Sequence, residues 1–272
     1  MSTMTPNTNG AKDCYLDLVK RALLGSVYPE LDCIVWPHSM PLRKLLRAIF
    51  PSDVRLFKMA KPGERGLHWP SHAYSMVGPD RMDNLRFCVE DVIAKGVPGD
   101  VIETGVWRGG SCIFMRAILK ANGITDRTVW AADSFEGLPK PDAEKYPDDA
   151  GDKHSWIPEL AVSVEQVKKN FEAFGLLDNQ VKFLKGWFKD TLPTAPIGKL
   201  AVARLDGDMY ESTMDALVSL YPKLSVGGYL IVDDYGAVEA CKKAIHDFRD
   251  KHGIKDPIRQ IDIAGVFWQK SA

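Results

Sequence analysis

No run of about 18 apolar residues occurs in the 272-residue chain, so no segment is suited to cross a membrane as a helix. Paired cysteines are missing as well. Cys14, Cys33, Cys88, Cys112 and Cys241 are odd in number and scattered, and no CxxC pair or Cys/His cluster suggests zinc. Cys88 and Cys112 lie in apolar stretches and read as core residues. Free thiols of this kind point to a reducing compartment. Excess charge of either sign is absent: 35 Lys and Arg oppose 36 Asp and Glu, a formal net charge of -1. That balance gives no electrostatic argument for nucleic acid or an anionic membrane as partner. The first ten residues lack the basic region and apolar core of a signal peptide, so a cytoplasmic protein is expected.

What is present is an ordinary globular composition, 45% hydrophobic, in a length that suits one large α/β domain with an appendage. Residues 1–11 are polar and read as a disordered tail, and a helix is predicted over 12–24. Six prolines between Pro29 and Pro70 cut residues 25–79 into short pieces. One of these, LRKLLRAIF at 42–50, is a basic amphipathic helix that suits a packed or dimer face better than a membrane surface. Residues 12–79 therefore read as a helical and loop extension for substrate or oligomer contacts, and 80–272 as the main domain.

A helix over 79–95 leads into alternating strands and helices. Strands are predicted at 100–106, 128–135, 180–187, 199–208 and 227–234, with helices at 109–123, 163–175, 211–224 and 236–253. Two short strands split by Ala264-Gly265 close the chain as a hairpin. The sum is a mostly parallel seven-stranded sheet with an antiparallel C-terminal hairpin. Residues 136–161 are too long for an ordinary connection and read as a lid or substrate loop.

Glu103-Thr-Gly105-Val-Trp107-Arg-Gly109-Gly110-Ser111 lies between a predicted strand and helix. A glycine-rich turn without a ligand is the plainer reading, but two features weigh against it. The place of the second glycine in a dinucleotide fingerprint is held by Trp107, which would obstruct a pyrophosphate and disfavours NAD and FAD. An acid, then glycine, then a short loop closed by glycine is the pattern of S-adenosylmethionine methyltransferases. Glu103 is expected to accept from the cofactor's ammonium group, and Ser111 with nearby N–H groups to bind its carboxylate. Thr104, Val106 and Gly109 complete that loop. Secondly, Asp133 ends the next strand at the distance of a ribose-binding acid, with Ser134 beside it. Gly186-Trp187-Phe188 ends the third strand, where the aromatics either flank an adenine or belong to the core.

Asp206, Asp208, Asp233 and Asp234 end two successive strands joined by one helix. A right-handed crossover brings those strand ends together, and the carboxylates would repel one another unless neutralised. Helix capping accounts for one acid per strand but not for two pairs. A hard divalent cation, magnesium or manganese, accounts for both. Asp208, Asp233 and Asp234 are the expected metal ligands, with Asp206 on the cofactor side. A ligated substrate hydroxyl would lose its proton to Asp208 as base.

Together SHAYSMVGPDRMDNL (71–85), GVPGDVIETGVWRGGSCIF (96–114), TVWAADSFEGLPK (128–140), NFEAFGLLDNQVKFLKGWFKDTLP (170–193), RLDGDMYESTMD (204–215) and GGYLIVDDY (227–235) resemble the macrocin O-methyltransferase family. That resemblance implies a class I, Rossmann-like methyltransferase fold and a homodimer or higher oligomer. It also implies a magnesium ion on Asp208, Asp233 and Asp234, with Asp208 as the base. The reaction implied is O-methylation of a sugar on a macrolide-like natural product, and the resemblance places Met76 against cofactor or substrate. Catechol-type enzymes carry a lysine base just after the first metal acid, whereas here the chain reads Gly207-Asp208-Met209-Tyr210. Residues 29–70 and 141–161 depart from the family pattern, and His154 in the second stretch is a candidate second base. A phenolic acceptor is the rival chemistry. A silent binding protein has no use for the acid set, and hydride transfer is disfavoured by Trp107.

Overall fold

The computed structural model describes residues 10–27 and 72–272. The amphipathic helix expected at 42–50 and most of the polar tail therefore lie outside the described residues. Seven strands form one sheet in the order β3-β2-β1-β4-β5-β7-β6. They are β1 (Asp100–Thr104), β2 (Val129–Asp133), β3 (Val181–Lys185), β4 (Leu200–Leu205), β5 (Leu224–Val232), β6 (Arg259–Gln260) and β7 (Val266–Gln269). The first five are parallel, and β7 pairs antiparallel with both β5 and β6. This is the class I methyltransferase arrangement expected from the resemblance.

The central strands are apolar on both faces because helices cover both. Every residue of β4 is buried, as are Val101, Ile102, Val129, Ala131 and Ala132 in its neighbours. On one face lie α1 (Ala11–Leu23), α2 (Pro79–Ala94), α3 (Gly110–Ala121) and α4 (Val164–Ala173). On the other lie α5 (Phe188–Thr191), α6 (Tyr210–Leu220) and α7 (Glu239–His252). Helix α3 is buried from Gly110 to Leu119, the all-round burial of a helix enclosed by the sheet, α1 and α2. Leu16 and Leu23 of α1 are fully buried in the same cluster as Ile113 and Phe114. Each such leucine contributes about 1.5–3 kcal/mol. The N-terminal helix is thus part of the main core and not an appendage to it.

The terminal hairpin is shorter than its sequence pattern. Asp262 Oδ1 accepts the N–H groups of Ala264 and Gly265 (2.9 and 2.7 Å), which turns the chain before β6 can extend. The other Asp262 oxygen accepts from Arg81 Nε at 2.8 Å, tying the hairpin to the first turn of α2.

Candidate active site

The carboxyl ends of β1, β2 and β4 carry the strain of the fold. Among the described residues, the non-glycine residues with positive φ are Trp107 (48°), Phe135 (58°) and Asp208 (56°), one just beyond each of these strands. Such conformations cost on the order of 1–3 kcal/mol each and gather where a site requires them. Gly105 shows why the turn after β1 excludes side chains: its φ is 86°, and a Cβ there would lie 1.6 Å from the Asp206 carbonyl oxygen. The glycine loop and the end of β4 are pressed together because that atom is absent.

Asp133 braces this loop. Its Oδ2 accepts the N–H of Val106 at 2.6 Å and of Trp107 at 3.3 Å, while its Oδ1 accepts the N–H of Phe135 at 2.7 Å. Burial pushes the Asp133 carboxyl up from its ordinary value, and these backbone bonds pull it back. The Ser134 hydroxyl adds a fourth, longer bond to Oδ1 at 3.3 Å, and the carboxylate lines the cleft.

Glu103 faces inward. It is 2% exposed, accepts from Arg204 Nη1 at 2.6 Å and from the Cys112 thiol at 2.9 Å, and burial raises its pKa. Ser111 is buried beside it and donates to it. Glu103 and Ser111, the expected partners of the cofactor head groups, are thus joined in a buried network beneath the loop. Thr104, fully buried, lies with them.

Strands β4 and β5 are parallel neighbours, with Leu205 opposite Val232, so the acids that follow them meet. One carboxylate oxygen each from Asp206, Asp208 and Asp234 lie within 4.8 Å of one another. The backbone N–H of Asp208 donates to Asp234 Oδ2 at 3.0 Å, locking the two strand ends. Asp233 does not join them. Consecutive residues at the end of an extended strand send their side chains apart, and Asp233 pairs instead with Arg204 and Arg81. Of the expected ligands Asp208, Asp233 and Asp234, the geometry brings Asp208 and Asp234 together with Asp206, while Asp233 faces the two arginines.

Arg204 was missed in the sequence, although a signal exists: an arginine inside the apolar run LAVARL must be paired when buried. At 2% exposure it holds Glu103 at 2.6 Å, Asp206 at 2.8 Å and Asp233. These charges do not balance the acids. Burial first, and then the charge of Asp233, push Asp206 up to about 8. Burial likewise raises Asp208, and burial with the charge of Asp208 raises Asp234 well above its ordinary value.

The loop at 136–161 folds over this cluster through short turns at Pro147–Asp149, His154–Trp156 and Pro158–Leu160. His154 Nδ1 bonds Asp152 Oδ2 at 2.6 Å, and His154 Nε2 stands 3.9 Å from Asp208 Oδ1. The Asp152 hydrogen bond leads the forces that raise His154 to about 9. The histidine is thus a neighbour of the acids.

One cleft joins these parts. Met76, Gly105, Asp133, Ser134, Trp187, Phe188, Asp206 and Asp208 all line it, as does Trp107. Gly186 stands behind, with φ 142° and no room for a Cβ beside Thr191. Gly109 packs against Val167. Beyond the acids the wall is Lys189, Glu211, Ser212 and Asp215. Those residues lie in the stretches 170–193 and 204–215 that carry the resemblance, but they join the site only once α5 and α6 are placed.

A family profile for Macrocin-O-methyltransferase (TylF) matches residues 12–270. The chain belongs to the macrocin O-methyltransferase family. It is 52% identical over 266 residues to the 8-demethyl-8-(2,3-dimethoxy-alpha-L-rhamnosyl)-tetracenomycin-C 4'-O-methyltransferase of Streptomyces olivaceus, covering 97% of this chain and 95% of that protein. The Mycinamicin III 3''-O-methyltransferase of Micromonospora griseorubida is 47% identical, over 99% of this chain and 100% of its own length. Among solved structures, the O-methyltransferase NovP superposes with a TM-score of 0.83 at 48% identity, covering 96% of this chain and all of that one. This macrocin-type protein is accordingly an O-methyltransferase, and its fold implies S-adenosylmethionine as methyl donor.

Proposed function

We propose that this methyltransferase transfers a methyl group from S-adenosylmethionine to a sugar hydroxyl of a glycosylated natural product, with magnesium held by Asp206, Asp208 and Asp234. The observation that carries this reading is that two acids of the triad, Asp206 and Asp208, line one cleft with the cofactor loop, and the third, Asp234, lies against them. Oxygen ligands about 2.1 Å from one octahedral magnesium lie about 3–4 Å apart. Carboxylates already within 4.8 Å of one another need only small rotations to reach that geometry. Burial is the first cause of the upward shift of these carboxyls, and a bound cation would oppose it.

When bound, magnesium would supply positive charge that lowers the pKa of a ligated hydroxyl. The chain's own residues do the rest. Asp133 holds the loop that faces the donor, and would exchange its longer bonds from Trp107 and Ser134 (both 3.3 Å) for ribose hydroxyls. Trp187 and Phe188 give the adenine an apolar wall. Asp208 takes the proton of the acceptor hydroxyl, and His154 stabilises the carboxylate from 3.9 Å. Attack on the sulfonium methyl then depends on alignment within the closed cleft.

Lys189, Glu211, Ser212 and Asp215 in the cleft lining offer hydrogen-bond partners to a hydroxyl-rich acceptor. Sugar substituents are also what the name of the tetracenomycin relative describes. The test is a product assay: labelled donor is offered with rhamnosides and other glycosides, and in parallel with catechols, and the methylated atom is assigned by NMR. Label on a sugar oxygen is expected. Efficient labelling of catechols with none on glycosides would reverse the assignment.

A further inference from the structure

The helix that follows the catalytic acids begins without a cap of its own. Helix α6 starts at Tyr210, its N-cap residue is Met209, and Met209 offers no side-chain acceptor. The first N–H groups of a helix need partners, because no carbonyl of the helix reaches them. Here the partner comes from the loop. Asp149 Oδ1 accepts the N–H of Tyr210 at 2.6 Å, and Asp149 Oδ2 accepts the N–H of Glu211 at 3.0 Å. Asp149 is 2% exposed although it stands in a polar loop, and the Tyr146 ring packs on the Tyr210 ring with centroids 6.1 Å apart.

This contact closes a circuit. Asp208 precedes α6 and adopts φ 56°, a conformation that its neighbours must hold in place. Asp149 grips the helix start, and a few residues further on Asp152 accepts both the backbone N–H of His154 (2.9 Å) and its Nδ1 (2.6 Å). That arrangement delivers His154 Nε2 back to Asp208. The far end of the loop is fixed separately, where Trp107 Nε1 donates to the Glu159 carbonyl at 2.9 Å.

We propose that Asp149 is a positioning residue for methyl transfer: by capping α6 from the loop, it holds Asp208 and the His154 segment in register and so shapes the acceptor side of the cleft. This rests on the proposed function for the acceptor, but the clamp itself does not. Asp149 touches none of the cofactor-side residues given above, so its loss acts on the acceptor step and spares the donor. A displacement of about 1 Å at the reacting groups costs on the order of a hundredfold in rate.

The experiment compares wild type with Asp149→Ala, Asp149→Asn and Asp148→Ala, the last a half-exposed neighbour paired with Lys243 on the surface. Amide hydrogen exchange is read over 209–212 and 150–156, S-adenosylmethionine affinity by calorimetry, and steady-state rates with p-nitrophenyl rhamnoside as acceptor probe. For Asp149→Ala, exchange should quicken in both segments together, and kcat/KM for the acceptor should fall on the order of a hundredfold. Donor Kd should stay within about twofold. Asp149→Asn, which keeps one accepting oxygen, should lie between, and Asp148→Ala should match wild type. If Asp149→Ala does not fold, Asp149→Asn alone decides by the same measures. Unchanged exchange, an unchanged acceptor kcat/KM, or equal losses of donor affinity and acceptor rate would overturn the proposal. Should wild type leave the rhamnoside unmethylated, the acceptor assignment fails, and the paired exchange response still decides the clamp.

Discussion

Replacing Asp208 by Asn separates the two roles proposed for this one side chain. Asp208 offers one oxygen to the triad and stands opposite His154 at 3.9 Å. Asn has nearly the same size and keeps one ligating oxygen, but it carries no charge and cannot accept the hydroxyl proton. Removing one of three carboxylates weakens the cation site, and excess magnesium can offset that loss. Loss of the base cannot be offset in this way. General-base catalysis contributes roughly 10²–10⁴-fold, equivalent to about 3–5 kcal/mol of barrier. Asp234→Asn is the comparison, because Asp234 has only the ligand role together with the 3.0 Å bond from the Asp208 N–H, which Asn can still accept. Initial rates are measured against magnesium for both variants, with metal occupancy read by calorimetry. Asp234→Asn should recover much of its rate as the site fills. Asp208→Asn should stay about 10²–10⁴-fold slow at full occupancy. Recovery of Asp208→Asn to near the wild-type rate would refute the assignment, and His154 would become the base to test.

Other outcomes follow from the same contacts. Asp133→Ala removes the acceptor for Val106, Trp107 and Phe135, and should weaken S-adenosylmethionine by about 1.5–3 kcal/mol; unchanged affinity by calorimetry would take Asp133 out of the site. Arg204→Met leaves Glu103, Asp206 and Asp233 without their shared cation, and should cost about 3–5 kcal/mol in a denaturant titration. Asp206 binds its proton more tightly in the fold, near 8, than its ordinary 3.8, so the metal-free protein should lose stability as pH rises between those values. Saturating magnesium should flatten that slope, and apparent magnesium affinity should climb with pH until about 8. Thermal melts and calorimetry across that range check both signs.

Much of the fold was legible because the sheet is parallel and buried on both faces: VIET, VWAAD and LAVARL are short apolar runs separated by helices of clear period. The glycine loop was legible through Gly105, where no side chain fits. Pairing preferences inside the acid set were not. Asp233 and Asp234 are adjacent and identical, and only the direction of each side chain sends one to the arginines and the other to Asp206 and Asp208. Arg204 left a trace, a cation in an apolar strand, whose meaning depended on which acids surrounded it. Asp149 left none. It is one of several acids in a polar loop, and the N–H groups it caps lie 61 and 62 residues further along the chain. Local pattern carries no information about a contact of that span. For the same reason His154 was legible only as a candidate second base, without the acid that it faces.

The central claim is that an acid triad makes methyl transfer to a sugar hydroxyl dependent on a divalent cation. Its most direct test follows labelled methyl from S-adenosylmethionine onto a glycoside substrate, with enzyme first stripped by chelator and then supplied with magnesium. The account predicts no transfer by the stripped enzyme, full transfer after magnesium is restored, and donor affinity that barely changes between the two states. Undiminished transfer in excess chelator would contradict it, and would leave Asp206, Asp208 and Asp234 as members of a structural network alone.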